Sequence, residues 1–314
     1  MYFSELYFYK YMDISWFLIV NPTAGNGKFD EKWKKIQAHL KNQKISYSFA
    51  LTAHSKHEIT LAQQAIKKGF THIISVGGDG TLHHVINGIM TQSFIPTSKI
   101  TVGVIPLGTG NDWIKTYGIP KAINNAVKLI KKQRTILQDI GYLTLENKTT
   151  FFNNVAGLGY DAYVVNKLNK LKRFGAIAYL LSGITGLLFY KKTTLKIEFD
   201  NHIFHTKCLM TLFGICKYAA GGMRMTAYQS ASDGLLDITI AKNLSLFDLL
   251  MHLPKLYNGK IVNHKKVSTY RTKHIIVTPM VKNKRFPFIQ ADGELIGNGK
   301  VTVSIIEKAL NFVV

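Results

Sequence analysis

Residues 71–90 read THIISVGGDGTLHHVINGIM: a β-branched apolar run, a loop of small residues around Asp79, and then a stretch of helical character. Strand, glycine-rich loop and helix in that order are the building block of a parallel α/β sheet. The same texture continues on both sides. Upstream, ISWFLIV (14–20) leads through NPTAGNGK into the helical FDEKWKKIQAHLKNQ and then ISYSFAL (45–51), with a further helix over 55–68. Downstream, ITVGVI (100–105) leads through PLGTGND into helical residues that end near Gln133. Strands and helices alternating over this length predict a parallel sheet with helices on both faces, and such sheets bind ligands at the carboxyl ends of their strands.

After about Asp139 the texture becomes β-rich and hairpin-like. Strands are expected at 193–199 and 203–213 around the turn residues Asp200 and Asn201, and at 235–240, 274–278 and 301–306. Helical interruptions are expected at 160–190 and 245–257. The predicted architecture is an α/β domain (1–140) followed by an antiparallel β domain (141–302), with the active site in the cleft between them. Residues 1–11, MYFSELYFYKY, fit neither pattern, and Met12 is an alternative start.

Composition narrows the partners. Forty Lys+Arg against 18 Asp+Glu leave a formal +22 over 314 residues, which favours something anionic: nucleic acid, a phosphorylated ligand or an acidic membrane surface. The two cysteines, Cys208 and Cys216, lack metal-ligand spacing and suit a reducing cytoplasm. No secretory signal pattern is present. The weakly charged stretch 175–190 falls short of the roughly 20 residues a membrane-spanning helix needs; it reads as a core helix, a pocket wall or a helix resting on a bilayer.

Three glycine-rich loops follow strands, and none fits the common nucleotide fingerprints. The Walker pattern needs Gly where Pro22 stands and Ser or Thr where Phe29 stands, while G-x-G-x-x-G fails at Asp30, His83 and Trp113. Gly77-Gly78-Asp79-Gly80-Thr81 nevertheless suits a polyphosphate, because its small residues let backbone N–H groups approach at a helix N-terminus. Asp79 would repel phosphate without a cation between them, so its presence suggests Mg²⁺. A capped turn is the structural alternative.

GGDGT, preceded by NPTAG and followed by Gly108-Thr109-Gly110-Asn111-Asp112 and by Asp292-Gly293-Glu294, resembles the diacylglycerol kinase catalytic-domain family of lipid kinases. GGDGT alone is shared with NAD kinases; GTGND and DGE favour the lipid branch. The resemblance implies a β-sandwich second domain, with about 303–314 returning to the first. It implies ATP contacts from Thr52, from the run Gly77, Gly78, Asp79, Gly80, Thr81, Leu82 and His83, and from Gly108, Thr109 and Asn111. Asp79, Asp112 and Asp139 would surround a catalytic Mg²⁺, and Glu294 would act as base. A second, structural Mg²⁺ is implied at Ser230, Asp233 and Leu235, where a D-G turn is the plain alternative. Relatives often carry Glu where His84 stands, and His84 has no assigned role.

The implied activity is transfer of the ATP γ-phosphoryl group to a lipid hydroxyl, first of all that of diacylglycerol, by a cytoplasmic protein that associates peripherally with an anionic membrane. Dimers occur in the family, so a homodimer is one implied assembly. No nucleic-acid-binding motif is present. The alternatives are an NAD kinase-like enzyme acting on a soluble nucleotide and a non-catalytic lipid-binding relative.

Overall fold

The computed structural model describes residues 14–25, 27–108, 111–168, 186–187, 190–228, 230–281 and 286–314. The expectations for Thr109, for the start at Met12 and for most of the 175–190 stretch lie outside them.

Strands β1 (Ser15–Val20), β2 (Ser46–Leu51), β3 (His72–Gly77) and β4 (Thr101–Pro106) run parallel in the order β2-β1-β3-β4. Five consecutive residues are buried in each of β1, β3 and β4, as a sheet covered on both faces requires. The alternation of side chains along each strand sorts the covering helices. Trp16, Leu18, Val20, Ile74, Val76 and Ile105 meet α1 (Phe29–Asn42) through Ile36 and Leu40. Phe17, Ile19, Ile73, Val102 and Val104 face α2 (His57–Lys67) and α3 (Asp79–Met90). Helices α4 (Asp112–Tyr117) and α5 (Ile123–Lys132) follow β4, and α5 joins α1 through Val127 and Ile130.

The chain then becomes antiparallel. Its strands are β5 (Thr135–Leu145), β6 (Lys148–Phe152), β7 (Val155–Gly159), β8 (Thr193–Phe199), β9 (His202–Cys208), β10 (Met210–Gly214), β11 (Tyr218–Ala219), β12 (Met223–Arg224), β13 (Leu236–Ala241), β14 (Val267–Thr272), β15 (His274–Pro279), β16 (Phe288–Ala291), β17 (Glu294–Asn298) and β18 (Val301–Val313). The short helices α6 (Tyr160–Leu168), α7 (Leu246–Met251) and α8 (Leu253–Asn258) interrupt them. One six-stranded sheet has the order β14-β13-β10-β7-β16-β17.

The last strand unites the molecule. β18 pairs with β15 at its start and antiparallel with β5 along its length, and its end lies parallel to β4 at Asn311 and Phe312. The parallel sheet therefore continues into the antiparallel half as one ten-stranded sheet.

Element boundaries are revised in two places before the last strand. The continuous strand expected over 203–213 breaks at Leu209, because β9 belongs to the large sheet and β10 to the six-stranded one. Leu209 donates its N–H to Ala241 and Lys242 across that corner, so the buried chain keeps a backbone partner where it changes sheets. The single helix expected over 245–257 is two, divided near His252 with Pro254 in the first turn of α8, where a missing N–H costs nothing.

Candidate active site

Two loops at the carboxyl ends of adjacent parallel strands form the floor of the site. A methyl group on Gly108 would lie 2.7 Å from the Gly78 Cα, so only glycines allow the β3–α3 and β4–α4 loops to touch. The N–H groups of Leu107 and Gly108 both reach the Gly77 carbonyl. Asn111, in the left-handed region at φ 49°, turns back so that its amide donates to the Gly108 carbonyl at 2.5 Å. That turn aims the Asp112 N–H at Asp79 Oδ2, 2.9 Å away. Asn21 of the NPTAG loop donates to Thr81 Oγ1 at 3.1 Å and brings the first strand's loop to the same place.

Burial pushes the Asp79 carboxyl up to about 6, helped by the charges of Asp112 and Asp292, while N–H groups from Asp112 and Trp113 oppose the shift. A carboxylate crowded by other carboxylates at a helix N-terminus gains most from a cation, and hard oxygen donors suit Mg²⁺. Among the described residues no three His, Cys, Asp or Glu side chains form a ready-made metal cage. Asp79 and Asp112 are the carboxylates that would face a Mg²⁺ here, with ligand and water oxygens completing its coordination. Asp112 is held from two sides, by Lys115 Nζ at 2.7 Å and by the Gly221 N–H at 2.7 Å.

The second domain contributes Glu294. The Asp292-Gly293 pair has positive φ at both residues, 51° and 84°, and closes the two-residue hairpin between β16 and β17. Asp292 faces inward and is buried. Its Oδ1 accepts from the N–H groups of Asn154 and Val155, and its Oδ2 from Asn153 N–H and His83 Nδ1, the last two at 3.0 Å. A carboxylate facing four donors must accept, so His83 carries its proton on Nδ1. Asn87 binds the β6 backbone at Phe151 through both its amide atoms and so fixes α3 against the second domain. With the hairpin clamped to α3 in this way, a methyl on Gly80 would come within 3.0 Å of Glu294 Oε1. Gly80 is thus the residue that lets the second-domain carboxylate sit over the nucleotide-loop helix.

The structure separates the expected site residues into groups. Asp79, Gly80, Asn111, Asp112 and Glu294 converge. Gly77, Gly78 and Gly108 form the floor through backbone contacts, and the partly exposed Thr52 follows β2, its N–H on the Val20 carbonyl at the end of β1. Thr81, Leu82 and His83 are present, but their side chains are committed to Asn21, to the core and to Asp292 respectively, leaving only backbone for a ligand. Asp139 is elsewhere engaged: its two oxygens accept the N–H groups of Gly234 and Lys308, both at 2.7 Å, tying β5 to the 231–235 loop and to the bulge in β18.

Sequence reasoning passed over Lys115, Gly221, Gln290 and Glu58. Gln290 accepts the Gly293 N–H at 2.8 Å and donates to Asp161 Oδ2 at 3.0 Å, which orients the turn before Glu294. Glu58, 4% exposed, has one oxygen without a partner; burial raises its pKa and the nearby Glu294 charge adds to the rise. Of these only Lys115, three residues beyond Asp112 on one helix, left a spacing signal.

The residues proposed for a structural ion do not fit one as they stand. The Asp233 Oδ2 pairs with Arg271 Nη2, its Oδ1 accepts the Leu235 N–H at 3.2 Å, and Arg271 Nε reaches Asp237 Oδ1 at 3.2 Å. Arg271 also lies over the Tyr228 ring, 4.6 Å from its centroid. A guanidinium thus holds the position where a divalent ion would neutralise Asp233. The thermal midpoint of the protein without nucleotide should be the same in Mg²⁺ and in chelator. Arg271→Ala should lower it by several degrees, and added Mg²⁺ should restore part of the loss. A wild-type midpoint that drops on chelation would show instead that an ion competes with Arg271.

In this arrangement a carboxylate from the β-rich half reaches over an α/β floor built from glycine loops. Residues 15–143 match the diacylglycerol kinase catalytic domain, and residues 154–314 match the YegS C-terminal NAD kinase beta sandwich-like domain. A diacylglycerol kinase from Staphylococcus epidermidis is 30% identical over 285 residues, covering 89% of this chain and 85% of the relative. One from Staphylococcus haemolyticus is 29% identical over 281 residues, covering 89% and 82%. The crystal structure of a diacylglycerol kinase from Bacillus anthracis superposes with a TM-score of 0.73 at 21% identity over 96% of both chains, a likeness of fold. The chain belongs to the diacylglycerol kinase family of lipid kinases.

Proposed function

We propose that this lipid kinase transfers the γ-phosphoryl group of ATP to the free hydroxyl of diacylglycerol, giving phosphatidic acid. The observation that carries the reading is the approach of Glu294 Oε1 to Gly80, which brings a carboxylate from the second domain to the helix whose N-terminus would hold the phosphates. The backbone N–H groups of Gly78 and Gly80 bind and orient the nucleotide phosphates, with the α3 dipole adding to their attraction. A Mg²⁺ held by Asp79, with Asp112 beside it, would supply charge neutralisation for the transferred group. Lys115 and Gly221 fix Asp112 for that task.

Glu294 accepts the proton of the acceptor hydroxyl on a side-chain oxygen as that hydroxyl attacks. Gln290 and Asp292 keep its turn in place, so little ordering remains when substrate arrives. The β domain, the source of Glu294, supplies the acceptor side of the cleft. Among the described residues no helix is long and apolar enough to cross a membrane, which is consistent with peripheral association at an anionic surface.

The test is the rate of ADP formation with two acceptors under one set of conditions, diacylglycerol in mixed micelles and NAD in buffer. ADP formation that depends on diacylglycerol supports the reading. Formation that depends on NAD alone would transfer the same site to a soluble nucleotide.

A further inference from the structure

Among the described residues, helices α7 and α8 carry large apolar side chains that stand exposed. Phe247 is 71% exposed, the most of any large hydrophobic among the described residues, and Met251, one turn along the same face of α7, is 60% exposed. Tyr257 on α8 adds an aromatic ring at 47%. Exposed Phe and Met at one-turn spacing do not contribute to a core, and their clustering marks a contact surface.

The surrounding charge states what the contact is with. From Lys242 to Lys273 the only acidic residue is Asp248, and it is consumed locally: it caps α7 through Ser245 and pairs with Lys266 Nζ at 2.5 Å. Lys192 reaches the same region, donating to Asn243 Oδ1 at 2.7 Å. Its pKa is lowered, by burial first and then by the charges of Lys207 and Lys266. His252 and His264 stack edge-on at 4.8 Å beside them, and Lys255 bears on His264.

We propose that the α7–α8 face is the surface by which this protein docks on an anionic phospholipid bilayer, with Phe247 and Met251 entering the headgroup boundary and the lysines lying on lipid phosphates. Exposed apolar side chains in a segment that also carries Lys242, Lys255, Lys260, Lys265 and Lys266 have the composition of an interfacial membrane contact, where both parts of the attraction are needed for residence. The inference rests on the lipid-kinase reading for its purpose, since a docked enzyme meets an acceptor that never leaves the bilayer.

The face is also wired to the active site. α8 packs on β12, and Gly259 at its end lies against Arg224, 3.5 Å from where a methyl would stand. β12 pairs with β11, and Gly221, in the loop between them, is the residue that donates to Asp112 Oδ2. The proposed docking face thus lies one hairpin from the backbone N–H that holds Asp112.

The experiment is co-sedimentation with phosphatidylcholine vesicles with and without phosphatidylglycerol, using wild type, Phe247→Ser/Met251→Ser and Lys255→Glu/Lys265→Glu, each checked for an unchanged thermal midpoint. Wild type should bind only the anionic vesicles, more weakly as salt shortens the Debye length below about 8 Å. Both variants should bind at least ~10-fold more weakly, the loss expected from one buried apolar side chain or two surface charges. Their turnover on dioctanoylglycerol, a short-chain soluble acceptor, should match wild type. Wild type that ignores anionic vesicles, or variants that bind like wild type, would overturn the proposal. So would preference for duplex DNA at matched salt, or a wild-type dimer that the Phe247/Met251 variant dissociates. A wild type that binds the vesicles but phosphorylates no diacylglycerol would remove the kinase reading and leave the docking face standing.

Discussion

Glu294→Gln is expected to lower turnover on diacylglycerol by roughly 10²–10⁴-fold, the usual contribution of a positioned general base, with ATP affinity near that of wild type. Glutamine keeps the length and the hydrogen-bonding reach of the side chain, and it leaves the Asp292-Gly293 turn untouched. What it loses is the capacity to take the hydroxyl proton. Because the carboxylate overlies Gly80 rather than bonding to the floor of the nucleotide loop, the ATP site has no direct partner to lose. Calorimetry with a non-hydrolysable ATP analogue and initial rates on micelles measure the two quantities separately. Near-normal turnover would exclude Glu294 as the base. A parallel loss of nucleotide affinity would make it a binding residue.

Asp79→Asn should have the opposite profile, weakening Mg·ATP binding and depressing turnover together. It should also stabilise the ligand-free protein. Asp79 has an ordinary value of 3.8 and a folded value raised to about 6, with burial as the leading cause. Below the lower value the group is protonated in both states and contributes nothing to the difference. Above the upper value the folded protein carries a crowded carboxylate that the unfolded chain exposes to water, so stability falls as pH rises through that window. Asparagine removes the charge while its side-chain oxygen can still accept the Asp112 N–H. The variant should gain roughly 1–2 kcal/mol near pH 8, discounted because Asp79 is partly exposed, and nothing near pH 4. Denaturant unfolding at the two pH values measures this. For wild type, Mg·ATP affinity should decline as pH falls below about 6 and Asp79 takes up its proton. Equal stabilisation at both pH values would mean that the gain has another source.

The first half of the fold was legible because its signals are local. Apolar runs bounded by GGDGT and PLGTGND set strand, loop and helix in one reading, and the loops fall at the carboxyl ends where parallel sheets bind ligands. The second half resisted because pairing there is decided at long range. Nothing local in 203–213 marks the break at Leu209, since the residues on either side are equally good strand formers, and only the existence of two sheets divides them. The final strand was read as ending near Ile306, but Lys308, in a left-handed bulge, carries it on to Val313.

The same division holds in the site. Asp79 stands out as an acid inside a phosphate-sized glycine loop, whereas Asp112 and Glu294 are legible only through the family resemblance. Asp292 looked like part of a turn, and its role as a buried anchor for His83 and three backbone N–H groups depends on partners 137 to 209 residues away. The resemblance makes Asp233 an ion ligand, with a D-G turn as the plain alternative, and Arg271, 38 residues on in β14, changes its surroundings. Spacing arguments reach neighbours along a helix or hairpin, whereas a guanidinium arriving from a distant strand leaves no trace in the local pattern.

The most direct measurement of the central claim is to incubate the protein with ATP labelled at the γ-phosphate and a total bacterial lipid extract, then to separate organic and aqueous phases and identify what carries label. The account predicts label in a lipid monoester with the mobility of phosphatidic acid, abolished in Asp79→Asn and reduced to background in Glu294→Gln. Label confined to the aqueous phase, whether as inorganic phosphate or on a nucleotide, with none in any lipid, would contradict it.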